Sequence, residues 1–372
     1  MQQVAVDEEL KLRIALTLLE GVGSVTARSL VSYCGSVEGV FKEKKKNLEK
    51  IPGIGPATAE KIISHNTFER AEKELVFIER HEIKPLFYLD KDYPSRLKSC
   101  SDAPVLLYYK GTADLNHHRM IAIVGTRNAS DYGRMMTEKI TEDLKAYDVI
   151  IVSGLAYGID IAAHKACIKN EIPTIGVLGH GLDRIYPAMH KPTAEKMMEQ
   201  GGLLTEFMTD TRPDKENFPQ RIRIVAGMCD AVLVIEAAKS GGALITAEIA
   251  NSYNRDVFAL PGRTNDTYSA GCNYFIKTNK AALIESAADI AEMMQWKTEK
   301  SVTEKPKQRQ LFIELTEEEK QLADLIARNG KTHIDMITSS VMMPVSKISA
   351  TLLSLEFKGV IKSLPGKMYE EV

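Results

Sequence analysis

Up to about Glu82 the apolar positions recur at helical spacing, and two glycine turns interrupt them, Leu19-Glu20-Gly21-Val22-Gly23 and Ile51-Pro52-Gly53-Ile54-Gly55. Small and apolar residues follow each turn at the same spacing, Val25, Ala27 and Leu30 after the first and Ala57, Ala59, Ile62 and Ile63 after the second. The segment therefore reads as a duplicated helical unit. A hydrophobic residue, Pro-Gly-Ile-Gly and a helix start make the pattern of a helix-hairpin-helix, whose turn N–H groups can hold a phosphate without reading bases. Such turns also serve helical bundles that dock proteins. Lys44, Lys45 and Lys46 read as a solvated face.

From Pro85 to about Trp296 strand and helix patterns alternate. The expected strands are Met120 to Val124, Val149 to Val152, Thr174 to Leu178, Leu203 to Phe207, Ala231 to Ile235 and Val257 to Leu260. Alternation of this kind predicts an α/β domain with a mostly parallel, Rossmann-like sheet, and places ligands beyond the carboxyl ends of the strands. Lys297 to Gln310 is charged and nearly devoid of apolar residues, the composition of a linker. Thr316-Glu317-Glu318-Glu319 then forms a capping box. After its helix come a short helix at Ile334 to Ser339, a longer one from Val345 to Lys358, and a hairpin through Val360 to Tyr369 around Pro365-Gly366. That order predicts a winged helix. Its second helix offers mainly Ser346, Lys347, Ser349 and Thr351, a poor set for reading bases, so protein contact and weak duplex contact both stay open. The expected domains are a helical module over 1–82, a sheet domain over 83–296, a linker over 297–310 and a winged helix over 311–372.

A chain of 372 residues holds two or three domains of about 150 residues each. The apolar share of 44% and charged share of 26% argue against wholesale disorder. With a net charge of −2, an anionic partner must be met by a local patch, because the field of the whole molecule will not attract it. The five cysteines, Cys34, Cys100, Cys167, Cys229 and Cys272, are odd in number, far apart and without a CxxC pair. That fits a reducing cytosol better than a disulfide framework or a zinc ribbon. Acidic residues at Asp7, Glu8 and Glu9, and no apolar run near the ~18 residues of a bilayer span, lead us to expect no signal peptide and no membrane segment.

Several strands end in small-residue loops: Gly125-Thr126-Arg127, Ser153-Gly154-Leu155-Ala156-Tyr157-Gly158, Gly179-His180-Gly181 and Lys239-Ser240-Gly241-Gly242. Each alone is an ordinary tight turn, but repeated on one sheet edge they suit a polyanion. There is no GxxxxGK[ST], and the first loop lacks the later glycines of GxGxxG, so ATP and NAD are disfavoured and no cofactor is expected. Lys215-Glu216-Asn217-Phe218-Pro219-Gln220-Arg221-Ile222-Arg223 interleaves cations with one aromatic. Single-stranded nucleic acid asks for that combination, cations for phosphates and an aromatic face for an unpaired base. Phe218 is the stacking candidate, with a core plug as its alternative. Arg221 and Arg223 face different ways on a helix, so one of them has Glu206 or Glu236 as an internal partner. Those glutamates also allow acid–base chemistry, and structural ion pairing is preferred. Asp160 and His164, four apart on a helix, lack a second cluster to complete a metal site, and no metal is expected.

Together these segments resemble the DNA-processing protein A family (DprA, also called Smf). The resemblance runs through Tyr93-Pro94, Pro104-Val105-Leu106-Leu107-Tyr108, Ile123-Val124-Gly125-Thr126-Arg127, Val152-Ser153-Gly154-Leu155-Ala156 with Gly158-Ile159-Asp160 and His164, Gly181-Leu182-Asp183 with Tyr186-Pro187, Phe218-Pro219-Gln220-Arg221, Leu244-Ile245-Thr246-Ala247 and Pro261-Gly262. It implies a Rossmann-like domain that dimerises, binds single-stranded DNA without base preference and helps load RecA recombinase during natural transformation, with no catalytic step. Carried over, the DNA-binding positions are Arg127, Ser153, Gly154, Lys215, Phe218, Arg221, Arg223, Lys239, Ser240 and Gly241. Ile222 stands where the family commonly has asparagine, and Ala188-Met189-His190 follows Pro187 where an asparagine is frequent. Apolar Phe275, Ile276 and Leu283 are the candidate dimer interface. Two other readings stand beside this one. A nucleotide phosphoribohydrolase would use Glu236 or Glu248, although its PGGxGTxxE signature is absent and Ser240 to Glu248 is the nearest string. A regulator would bind duplex through the winged helix.

Overall fold

The computed structural model describes residues 7–214, 216–297, 315–341, 343–364 and 367–371. The chain divides into two compact units, Met1–Glu299 and Lys300–Val372. Among the described residues no single helix is long and apolar enough to cross a membrane.

The first unit begins with helices α1 (Glu8–Thr17), α2 (Ser24–Cys34), α3 (Val37–Lys42), α4 (Lys45–Leu48), α5 (Pro56–Ile63) and α6 (Phe68–Arg80). Both glycine turns open helices as expected: Gly21 and Gly53 have φ of +79° and +84°, a region L side chains rarely adopt, and Gly23 and Gly55 then cap α2 and α5. Ile14, Leu16, Leu30, Leu48, Ile62 and Leu75 close over one core, which continues into Phe87, Leu106 and Tyr108 at the edge of the sheet. Polar clamps reinforce this contact. Arg13 reaches Asp90 at 3.0 Å, and buried Glu74 accepts from the hydroxyl and N–H of Thr209 at 2.5 and 3.1 Å.

The sheet follows, with β1 (Lys84–Phe87), α7 (Ser95–Lys98), β2 (Leu106–Gly111), β3 (Met120–Val124), α8 (Asp131–Leu144), β4 (Ile150–Ser153), α9 (Ile159–Lys169), β5 (Thr174–Val177), α10 (Lys191–Gln200), β6 (Gly202–Thr205), α11 (Asn217–Gly227), β7 (Ala231–Val234), α12 (Gly242–Ser252), β8 (Asp256–Ala259), α13 (Ala270–Lys277), β9 (Ala282–Leu283) and α14 (Ala287–Met293). Its order is β1-β2-β6-β5-β4-β3-β7-β8-β9, parallel from β6 through β9 and antiparallel at β1 and β2. The expected strands are β3 to β8. The antiparallel pair and β9 are additional to these, Pro85 marking β1 as an edge and β9 being only two residues long.

Along β3 the side chains alternate. Met120, Ala122 and Val124 pack with Ile224 and Val225 of α11 and Ala247 and Ala250 of α12. Ile121 and Ile123 pack with Ile140 of α8, Ala163 and Cys167 of α9 and Ile290 of α14. Both faces are covered, which is why the inner strands read as continuous apolar runs. The chain winds from β3 to β6 in one direction and from β7 to β9 in the other, so a crevice opens between the carboxyl ends of β3 and β7.

The second unit has α15 (Glu317–Asn329), β10 (Thr332–His333), α16 (Ile334–Ser340), α17 (Val345–Phe357), β11 (Ile361–Leu364) and β12 (Met368–Glu371), with an antiparallel sheet in the order β10-β12-β11. It is a winged helix around Leu322, Ile326, Ile337, Ile348, Leu352 and Leu355. The expected turn at Pro365-Gly366 lies outside the described residues, as does the expected linker beyond Lys297. The capping box is present, and Glu319 also accepts from Ser354 and Lys358 of the facing helix at 2.7 and 2.6 Å. Hydrogen bonds from Lys358, Ser354 and the Thr316 N–H hold its carboxyl down to about 2. Because the folded value lies below that of a free glutamate, the stabilisation is whole above about pH 4.3 and is lost as pH falls toward 2. Amide protection of α15 and α17 in the full chain should therefore drop across that interval once intrinsic exchange is corrected for. Glu319→Gln should lower protection at neutral pH and flatten the acid dependence.

Candidate nucleic-acid interface

The crevice at the β3–β7 switch point is a cleft of about 700 Å³. Gly125, Thr126 and Arg127 after β3, Gly154 and Ala156 after β4, Phe218 and Arg221 on α11, and Ser240, Gly241 and Gly242 at the start of α12 line it. The loops approach closely because glycine permits it. A Cβ on Gly158 would lie 2.1 Å from the carbonyl oxygen of Thr126, and one on Gly125 would lie 2.4 Å from Ile159.

The helix starts at this rim differ in what they offer. Ser130 caps α8, and buried Glu236 accepts from the Ser130 N–H at 2.9 Å and from its hydroxyl. At α9 the Ile159 N–H donates to the Thr126 carbonyl at 3.2 Å. The start of α12 carries no side-chain cap, and Gly241 and Gly242 are exposed. Of these it is the one whose N–H groups are left for an anion.

Phe218 is half-buried, neither a core plug nor fully exposed. Its ring lies 5.5 Å from the Arg127 guanidinium and 5.2 Å from that of Arg221, with the Tyr186 ring at 6.2 Å. A Cβ on Gly179 would sit 3.2 Å from the Phe218 ring, so glycine there leaves it room. Arg127 and Lys239 are exposed and hold no ion-pair partner among the described residues. Tyr186, 46% exposed, completes the aromatic pair and was not among the expected site residues. The signal for it was the Tyr186-Pro187 dipeptide in a loop after β5.

Several expected contacts are reassigned. Arg221 is buried on the cleft floor, where it donates to the carbonyls of Gly154 and Val177 and faces Asp160 at 3.8 Å. Burial raises the Asp160 carboxyl above its ordinary range, and the neighbouring Arg221 opposes that shift. The partner of Arg221 is thus Asp160, and the glutamate partner expected for one of the two arginines falls to Arg223. Arg223 turns away and pairs with Glu206, also donating to the Asp102 carbonyl. Ser153 is wholly buried with its hydroxyl donating to the Ile123 carbonyl at 2.6 Å, so it is a strand-end clamp. Gly154 lines the cleft through its backbone. A Cβ there would lie 2.4 Å from Arg221 and 2.8 Å from Asp160. Phe275 is a core residue, Ile276 is partly buried, and Leu283 is 43% exposed on β9. Lys215 lies outside the described residues. His164 is buried with Nδ1 at 2.7 Å from the Thr174 hydroxyl, and burial pushes it down to about 3, so it is neutral.

Residues 84–295 match the family described as DNA recombination-mediator protein A. The chain belongs to that family. Residues 14–65 of this DNA recombination-mediator family member match a SAM-like helix-hairpin-helix tandem, and residues 306–367 match the DprA winged helix domain. Protein Smf of Synechocystis sp. is 33% identical over 394 residues, spanning 96% of this chain and 97% of its own length. The DNA processing protein DprA of Streptococcus pneumoniae is 43% identical over 202 residues, covering 54% of this chain and 71% of its own. The X-ray structure of DprA from that organism superimposes with a TM-score of 0.67 at 34% identity, covering 77% of this chain and 98% of the other. A structure of Helicobacter pylori DNA processing protein A, described for its single-stranded DNA binding mode, gives a TM-score of 0.52 at 27% identity, over 57% of this chain and 96% of the other.

Arg221→Ala should destabilise the first unit by ~3–5 kcal/mol in urea unfolding, because it strands Asp160 in the interior without a cation. Arg127→Ala, at the exposed lip, should stay within about 0.5 kcal/mol of the parent.

Proposed function

We propose that this family member binds single-stranded DNA in the β3–β7 cleft, without reading base sequence, and hands it to a RecA-type recombinase. The observation that carries this reading is the half-exposed Phe218 ring flanked by Arg127, which has no ion-pair partner among the described residues, on the same cleft as the uncapped start of α12. Phosphates sit over Arg127, Lys239 and the N–H groups of Ser240 to Gly242, while a base stacks on Phe218. The similarity to a protein described for its single-stranded DNA binding mode supports the same choice. No base-edge partner in a duplex is required, and stacking accepts any base, so the binding is sequence-tolerant. Lys215 remains a proposed contact on the expected motif alone. We assign homodimer formation to the open sheet edge, where Leu283 on β9 and Tyr274 on α13 are exposed.

The role is non-catalytic in this reading. Glu236 is buried and bound to Ser130, and Glu248 pairs with Lys280 at 2.6 Å. Among the described residues lining the cleft the carboxylate is Asp160, which Arg221 holds. A carboxylate free to act as general base is thus missing from the described lining. In the winged helix, Lys347 is engaged by Glu318, which further reduces the cationic face that duplex binding through α17 would need.

Fluorescence anisotropy with a labelled oligonucleotide across a salt series tests the proposal. Arg127→Ala should weaken binding to all sequences alike and reduce the salt slope by ~0.7. Phe218→Ala should cost ~1–3 kcal/mol and leave the slope unchanged. Equal affinity for matched duplex, or indifference to both substitutions, would refute it.

A further inference from the structure

At the opposite end of the sheet from the cleft, the segment that leads into β3 and the turn that leads into β4 lie side by side, because Met120 pairs with Ile150 in register. This brings His117, His118 and Asp148 together, with one ligand atom from each within 4.8 Å of the others. The Asp148 Oδ2 atom is 3.3 Å from Nε2 of His117 and 3.7 Å from Nε2 of His118. A tetrahedral zinc ion with bonds of ~2.0–2.1 Å sets its ligand atoms about 3.3 Å apart, so the two separations from Asp148 are already near the edges of such a polyhedron.

The backbone around them is held. The Arg96 guanidinium donates to the carbonyls of both histidines, at 2.8 Å to His117 and 3.0 Å to His118, and its Nε pairs with Asp230 at 2.5 Å. Asp230 in turn accepts from the Met120 N–H at 2.8 Å, which ties the clamp to the first residue of β3. Nδ1 of His117 lies 3.1 Å from the Arg119 carbonyl and 3.3 Å from the Arg119 N–H, so either tautomer finds a backbone partner there. In the tautomer whose Nε2 ligates a metal, Nδ1 donates to that carbonyl, the usual kind of outer partner for a metal-bound histidine. Asp148 follows a 3-10 turn with φ of +50°, a left-handed conformation that ends the turn beside the histidines.

We propose that His117, His118 and Asp148 form a binding site for a divalent transition metal, with zinc as the fitting ion. Two imidazole nitrogens and one carboxylate oxygen are borderline ligands that select zinc, nickel, cobalt or copper over calcium and magnesium. Three protein ligands leave a position for water, and bound metal staples the two amino-end loops to each other. Asp160 and His164, for which no metal is expected, lie on α9. This site is elsewhere and is independent of the DNA-binding proposal.

The test is titration of the untagged full-length chain with zinc chloride, followed by calorimetry and by competition with a chromophoric chelator. The expected result is a saturable site that takes one equivalent. His118→Ala and Asp148→Asn should each weaken it by at least about tenfold, and His333→Ala, which removes the histidine beside Asp335 in the winged helix, should not. Cobalt loaded in place of zinc should give visible absorption that His118→Ala abolishes. Circular dichroism checks that these variants are folded, and His118 is exposed enough to be removed without loss of packing. Single-stranded DNA affinity should be the same with and without zinc. Absence of saturable binding at micromolar zinc, or binding that His118→Ala and Asp148→Asn leave intact, would overturn the site whatever the cleft binds.

Discussion

Arg221 and Asp160 lie in the interior together, on α11 and at the start of α9, and neither charge is tolerable there without the other. The pair joins elements that follow different strands. Its guanidinium also takes the Gly154 carbonyl, so the loop after β4 is pinned to the helix that bears Phe218. Glycine at 154 is the consequence, since any side chain would displace the pair. An ion pair replaced by apolar packing is often no less stable, so its value here is in position: it fixes the distance between the loop floor and the aromatic lip.

On that floor the division of labour among cations becomes clear. Arg221 and Arg223 are spent on internal partners, whereas Arg127 and Lys239 stand at the rim with no ion-pair partner among the described residues. With a net charge of −2 the molecule has no overall field to draw a polyanion. In the proposed reading a few exposed cations, one uncapped helix start and a stacking face concentrate the attraction instead. Glu236 closes the start of α8, so that helix start is not open to an anion.

Much of this was legible in the sequence, for physical reasons that differ by element. Strands β3 to β8 were readable because burial on both faces leaves continuous apolar runs, and the glycine turns were readable because a positive φ demands that residue. Phe218 and Arg127 stood out as an aromatic and a cation in strand-end loops. What was not legible depends on tertiary pairing. Nothing local says that Arg221 meets Asp160, or that Ser153 at the end of β4 turns its hydroxyl inward to Ile123. Phe275 looked like surface because a short amphipathic helix near the sheet edge does not reveal which side is covered. His117, His118 and Asp148 are brought together only by the register of β3 with β4.

The central claim is that single-stranded DNA lies across Phe218 with its phosphates at the rim of the β3–β7 cleft. Photo-crosslinking of the full-length chain to an oligonucleotide carrying 5-bromodeoxyuridine, with the modified peptides identified by mass spectrometry, tests it most directly. The account predicts adducts on Phe218 or Tyr186, abolished by excess unlabelled single strand. Adducts confined to the helical module or the winged helix, with the cleft unmodified, would contradict it.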